Sequence, residues 1–231
     1  MKSILITGTR KGLGRGLAEI FLEQGWRVFG CSRKEADWSA ERYRHFVCDV
    51  SDPVEVREMV KKAEKESGGI YGLVNNAGVA SMNALLLTPA QSAKEILEVN
   101  TLGSFHLMQE VAKGMCRRKS GRIVNISSVA SALDLEGEAI YAASKAAVES
   151  LTRVAAREFG SFGVTVNAVG PTVIDSDLVR AVPQEKLTRL KERQAVPRDG
   201  TVEDLHNLVD FFLKPESSFI SGQVIYLGGI R

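Results

Sequence analysis

Ser3-Ile4-Leu5-Ile6-Thr7, then Gly8-Thr9-Arg10-Lys11-Gly12-Leu13-Gly14, then the amphipathic run Arg15–Gln24: this succession decides the fold. A short apolar run that stops at a glycine reads as a buried strand, and apolar positions at helical spacing follow directly. Glycines between them permit a tight turn and let a diphosphate approach the backbone. The helix that follows offers free N–H groups and the positive end of its dipole. No Gly-Lys-Ser/Thr sits at the spacing of a mononucleotide P-loop. The stretch therefore predicts a dinucleotide site, with Gly8, Arg10, Lys11, Gly12, Leu13 and Gly14 against the cofactor.

Outward from this loop, short apolar segments alternate with longer amphipathic ones. Strands are expected at Ser3–Thr7, Arg27–Cys31, His45–Val47, Tyr71–Val74, Arg122–Ile126, Thr165–Val169 and Val224–Leu227. Helices are expected at about 12–24, 52–66, 90–117, 138–160 and 202–213, with weaker helical texture through 176–193. Ser51-Asp52-Pro53 places a capping residue before a proline. Thr201-Val202-Glu203-Asp204 has a carboxylate three places after a threonine. Strands alternating with helices imply right-handed βαβ units and a parallel sheet covered on both faces. The expectation is a single domain over residues 1–231, with the poorly periodic 173–200 as a substrate lid.

The 231 residues are 44% hydrophobic and 25% charged, a globular composition. Thirty basic against twenty-eight acidic residues give a net charge of +2, too little for a nucleic-acid footprint. Arg117-Arg118-Lys119 and Lys61-Lys62 read as solvated faces. Cys31, Cys48 and Cys116 lack the spacing of a metal knuckle or redox pair, and no membrane span or secretory signal precedes the first strand. A cytoplasmic protein with free thiols and no membrane or nucleic-acid partner is expected. His45, His106 and His206 lie in strand or helix contexts without a Cys, Asp or Glu cluster of metal-ligand spacing, so no catalytic metal is predicted.

Cofactor choice is read where the second strand ends. Sites for NAD place a carboxylate there to accept from the ribose hydroxyls. Here Val28-Phe29-Gly30-Cys31 runs into Ser32-Arg33-Lys34. Arg33 can clamp a 2′-phosphate with two charge-assisted bonds, and Lys11 or Arg10 can supply a second cation. NADP(H) is therefore expected.

In order along the chain, Thr7–Gly14, Asp49-Val50, Asn75-Asn76-Ala77-Gly78, Asn100, Asn125-Ile126-Ser127-Ser128-Val129, Tyr141-Ala142-Ala143-Ser144-Lys145 and Asn167-Ala168-Val169-Gly170-Pro171 resemble the short-chain dehydrogenase/reductase family over nearly the whole length. The resemblance implies a Rossmann-type doubly wound α/β sheet of about seven parallel strands in the order 3-2-1-4-5-6-7. It places Asp49 and Val50 near the adenine, Asn76, Ala77 and Gly78 along the cofactor, and Pro171, Thr172 and Val173 beside the nicotinamide. Two departures stand out. Thr172 replaces the usual glycine after Pro171, and Ser176 stands for a threonine that often holds the carboxamide. The C-terminal Leu227-Gly228-Gly229-Ile230-Arg231 also differs from the family's usual ending.

Reduction of a carbonyl needs a proton for the developing alkoxide. Tyr141 and Lys145 are four apart and so share a helix face. An ammonium beside the phenol, with the oxidised cofactor's positive ring, stabilises the phenolate. The resemblance also gives Lys145 the nicotinamide ribose. Ser128, thirteen residues before Tyr141, is expected to polarise the substrate oxygen, its neighbour Ser127 facing the other way. Asn100 is expected to organise a water-linked relay from Lys145. The leading expectation is an NADP-dependent carbonyl reductase similar to 3-oxoacyl-[acyl-carrier-protein] reductases, with Arg117-Arg118-Lys119 as a weak attraction for an acidic carrier. An alcohol or sugar dehydrogenase working oxidatively, and a nucleotide-sensing protein without catalysis, are the alternatives. Apolar excess at Leu97, Leu102, Phe105, Val148 and Leu151 suggests a symmetric homodimer or homotetramer, as the family commonly forms.

Overall fold

The computed structural model describes residues 2–174 and 182–230. Strands β1 (Ser3–Thr7), β2 (Arg27–Ser32), β3 (Tyr43–Val47), β4 (Gly72–Asn75), β5 (Gly121–Ile126), β6 (Val164–Gly170) and β7 (Val224–Tyr226) form one seven-stranded sheet in the order β3-β2-β1-β4-β5-β6-β7. Every pairing is parallel, as with Ile4↔Val28 and Ile4↔Gly72 on either side of β1. The central strands β1, β4, β5 and β6 are buried at every position, as their unbroken apolar runs require.

Helix α1 (Gly12–Glu23) and the late helix Val202–Leu213 cover one face. There Leu17, Phe21, Leu205, Val209 and Phe212 pack on Ile4, Ile6, Val28, Val74 and Val124. On the other face α2 (Pro53–Ser67) lies beside the helix that leads into β5, which in turn packs on the one that leads into β6. There Val56, Met59, Leu107, Val111 and Met115 pack on Leu5, Phe29, Leu73 and Ile123. The expected caps are present. Asp52 accepts from the amides of Val54 and Glu55, and Thr201 with Asp204 forms a reciprocal capping box.

The segment read as one helix over 90–117 is three pieces: α3 (Ala90–Ile96), a π-helical stretch Leu97–Leu102, and α4 (Gly103–Arg118). The wider turn carries Asn100, which is fully buried. Its side chain receives the Val79 N–H at 2.8 Å and donates to the Val79 carbonyl at 2.9 Å and to Ser144 Oγ at 3.0 Å. A residue so fully bonded outside its own helix explains why the α-helical period breaks there. After β5 come the short α5 (Ala130–Leu133) and the long α6 (Ala139–Phe159).

Beyond β6, the backbone of Gly200 donates to the Val173 carbonyl at 2.8 Å, closing the base of the 173–200 stretch. Within it, α7 (Gln184–Glu192) carries the helical texture expected over 176–193 as far as the described residues go; α8 is Val202–Leu213. Residues 175–181 of the expected lid lie outside the described residues. Among the apolar positions expected at an interface, Val148 is 1% exposed inside its own subunit and has no surface to offer a partner. Leu97, Leu102 and Phe105 keep 40%, 46% and 38% of their surface in solvent.

Candidate active site

Strand order reverses between β1 and β4, and the crevice at their C-terminal ends is where a doubly wound sheet binds ligands. A cavity of about 720 Å³ lies there, walled by the glycine loop, the ends of β2 and β4, and α6.

The glycine loop is built for close approach. Gly8 and Gly12 adopt φ of 77° and 61°, where an L side chain is strained. A Cβ on Gly14 would overlap the Gly8 carbonyl oxygen. Thr7 Oγ1 accepts from the amides of Asn76 and Ala77 at 3.0 and 2.8 Å, and Asn76 Nδ2 donates to the Thr7 carbonyl at 2.8 Å. Those bonds lock the end of β4 to the end of β1. Lys11, at the N-cap of α1, places no side-chain acceptor on the helix's first amides. The N-terminus of α1 thus faces the cleft as an anion site, and the cradle fits a dinucleotide diphosphate.

At one end of the cleft stand Arg10, Lys11, Ser32, Arg33 and Lys34, with Asp49 and Val50 beside them. The β2 end carries no carboxylate, as the sequence indicated. Asp49 is turned to its own loop, accepting from the Ser51 amide at 2.9 Å and the Ser51 hydroxyl at 2.7 Å. Arg33 meets Glu95 of α3 at 3.5 Å, a partner the sequence reading did not name.

At the other end Tyr141 and Lys145 project from one face of α6 into the cavity. Lys145 is 4% exposed and donates from Nζ to the Ile126 carbonyl at 2.7 Å. Gly78 lies beside it, where a Cβ would make ordinary contact with Nζ at 3.6 Å. Burial pulls the Lys145 ammonium down to about 8, opposed by the charge of Glu149. Burial pushes the Tyr141 hydroxyl up to about 12; the hydrogen bond with Ser128 works against this and Glu138 adds to it. Both neighbouring serines lie past the end of β5 at Ile126, beyond the strand's alternation, and Ser128 is not among the residues lining the cavity. Ser127 lines the cleft, but its hydroxyl is spent on Glu149 at 2.5 Å, whereas Ser128 meets the Tyr141 hydroxyl.

Glu149 is the residue sequence reading missed. It is 7% exposed, and the hydroxyls of Ser127, Ser131 and Tyr226 converge on its Oε1 at 2.5, 2.6 and 2.8 Å. A carboxylate one helical turn past Lys145, and so on the same face as it, was the available signal. Asn100 stands behind Gly78, with both side-chain N–H groups and the oxygen engaged by protein, so its amide is a brace for Val79 before it is a relay. Pro171 lines the cleft. Thr172 gives its hydroxyl to Gln194, and Val173 is buried, so neither forms part of the cavity wall. Ser176 lies outside the described residues. Among the described residues no group of His, Cys, Asp and Glu is placed to hold a metal.

The family described as Enoyl-(Acyl carrier protein) reductase matches residues 8–229. The chain belongs to the short-chain dehydrogenase/reductase family. It is 32% identical to the 3-oxoacyl-[acyl-carrier-protein] reductase of Vibrio cholerae, across 99% of this chain and 96% of that protein. Identity is 35% to the Staphylococcus aureus protein of the same name, across 99% and 97%. Among solved structures, the ligand-free aldohexose dehydrogenase of Thermoplasma acidophilum superposes with a TM-score of 0.91 at 31% identity, covering 99% of this chain and 93% of that one. A short-chain dehydrogenase/reductase is an oxidoreductase, and the family sheet order is the one described above. Among the described residues no helix is long and apolar enough to cross a membrane.

Proposed function

We propose that this short-chain dehydrogenase/reductase is an NADPH-dependent reductase of ketones, with 3-oxoacyl thioesters as its substrate class. The observation that carries the reading is the Tyr141–Lys145 pair, one turn apart on α6, in the wall of a cavity whose other end is cationic. When bound, the reduced nicotinamide supplies the hydride. Tyr141, held protonated by burial, gives its proton to the alkoxide oxygen. Ser128 donates to the same oxygen and polarises the carbonyl. Lys145, fixed through Ile126, holds positive charge next to the phenol as it becomes phenolate. Ser32, Arg33 and Lys34, with Arg10 and Lys11, favour a 2′-phosphate over a free hydroxyl.

A phenol that keeps its proton suits reduction, whereas oxidation starts from the phenolate. The relatives' substrates point the same way. Sugar oxidation is the second reading, favoured by the structural likeness to an aldohexose dehydrogenase. One pair of assays separates them: NADPH consumption with acetoacetyl-coenzyme A, and NADP⁺ or NAD⁺ reduction with a panel of aldohexoses. Turnover of hexoses alone would replace the reductase reading.

An acidic carrier does not reach the site through Arg117-Arg118-Lys119. In a parallel sheet the helix before β5 ends at the strands' N-terminal edge, opposite the cleft. There Arg118 is held by Glu64 at 2.7 Å and by the Ile70 carbonyl at 2.7 Å. Self-association through the exposed Leu97, Leu102 and Phe105 is part of the proposal. Light scattering tests it, and a monomer would refute it.

A further inference from the structure

Behind Ser32 and Arg33 runs a chain of hydrogen bonds that proton transfer to substrate does not use. It starts at Thr9 of the glycine loop, which is fully buried. The Tyr43 hydroxyl lies 2.8 Å from Thr9 Oγ1 and 2.8 Å from His45 Nδ1. On the far side of the ring, His45 Nε2 lies 3.0 Å from Ser32 Oγ and 3.1 Å from the Lys34 carbonyl, and Ser32 Oγ donates to that carbonyl at 2.7 Å. Trp38 seals the chain from outside, stacked on Tyr43 at 4.0 Å and donating to the Thr9 carbonyl at 3.0 Å. Gly30 makes space for it, because a Cβ there would overlap Thr9 Oγ1 and the Tyr43 hydroxyl.

The partners fix what the ring can do. A carbonyl only accepts, so Nε2 carries a hydrogen toward Lys34. Nδ1 faces a hydroxyl, which can give or take. With a neutral ring, Tyr43 donates to Nδ1. With an imidazolium, Nδ1–H donates to Tyr43, whose own hydrogen turns to Thr9 Oγ1. Both states leave every ring N–H partnered, and only hydroxyl hydrogens move. Facing the ring are Tyr43 on its own strand, Ser32 and the Arg33–Lys34 turn of β2, and Thr9; Arg15 of α1 stands beyond Trp38. Among the described residues no carboxylate forms an ion pair with His45.

We propose that His45 is a specificity-determining positioning residue: as an imidazolium it holds Ser32 and the Arg33–Lys34 turn for an adenosine 2′-phosphate and adds the charge that distinguishes this group from a 2′-hydroxyl. The inference rests on the NADPH reading above. Histidine is the side chain that changes charge near neutral pH. Binding a 2′-phosphate dianion therefore favours the protonated ring, by linkage, whereas binding NADH does not.

Calorimetric titrations of the free enzyme with NADPH and with NADH, each in buffers of different ionisation enthalpy slightly above neutral pH, read this directly. The expected result is proton uptake with NADPH only, lost in His45→Gln. That variant should also lose about fivefold to tenfold in NADPH affinity and much less for NADH. The wild-type comparison stands even if the variant folds poorly. NADPH preference without proton uptake, or uptake that persists in His45→Gln, overturns the role of His45 and leaves the cofactor reading intact. Equal affinity for the two cofactors overturns both.

Discussion

Arg33 Nη1 lies 3.5 Å from Glu95 Oε1, tying the end of β2 to α3 beside the cationic end of the cleft. Both side chains are exposed, and such pairs contribute only about 0.2–1 kcal/mol. A 2′-phosphate offers Arg33 more charge and a bidentate partner, so the pair yields to it. Arg33→Ala is expected to weaken NADPH about tenfold or more while changing NADH little. Glu95→Gln carries the opposite sign: it removes a competitor for Arg33 and a charge that repels phosphate, so NADPH tightens by up to about fivefold. Nucleotide titrations measure both. Equal losses for the two cofactors in Arg33→Ala would remove the phosphate clamp.

Tyr141→Phe deletes one oxygen at the mouth of the hydride path and leaves the glycine loop and Lys145 in place. Ketone reduction is expected to fall about 10²–10⁴-fold, the range of a lost general acid. NADPH affinity should stay close to wild type, because the ring still packs on α6. Stopped-flow hydride transfer together with a binding titration separates the effects. A variant retaining a large share of its rate would transfer the proton role to another group.

Much of this site was legible in the residues because its chemistry is carried by the backbone. Glycines at 8, 12 and 14 announce a tight turn, and Asp52-Pro53 and Thr201–Asp204 mark helix starts with their own caps. What stayed hidden depends on pairs distant in the chain. Glu95 meets Arg33 across 62 positions, and Tyr226 reaches Glu149 across 77. The break at Leu97–Leu102 escaped for the same reason. Its cause is Asn100 bonding to Val79 and Ser144, and no local periodicity encodes that demand. Val148 shows the converse error, an apolar position read as interface that is buried within its own subunit.

Glu149 is expected to shift the alkaline limit of the proposed activity. Its charge raises the Lys145 ammonium, which burial otherwise pulls down to about 8. If reduction needs the ammonium, kcat/KM of the free enzyme falls as pH rises through about 8. Glu149→Gln keeps an acceptor for the three hydroxyls but removes the charge, so this limb should move to lower pH. Glu149→Asp, which restores a carboxylate, should move it back. A limb that stays fixed across the series would make Glu149 purely structural.

Lys145 also leaves a mark on stability. Its folded-state value of about 8 lies below its ordinary 10.5, so between them the unfolded chain binds more protons than the folded one. Stability with respect to this group therefore rises with pH across that window; below it, the full cost of burying the ammonium is present. Tyr141 acts in the opposite sense but only above its ordinary value of 10, so the interval from about 8 to 10 reports Lys145 alone of the two. Lys145→Met keeps the length and apolar stem of the side chain without the charge. The variant should be more stable than wild type at neutral pH, and the gap should narrow as pH rises toward 10. Denaturant melts at a series of pH values measure the gap. A wild type already as stable as Lys145→Met at neutral pH would mean that the Ile126 carbonyl and Glu149 together compensate the buried charge.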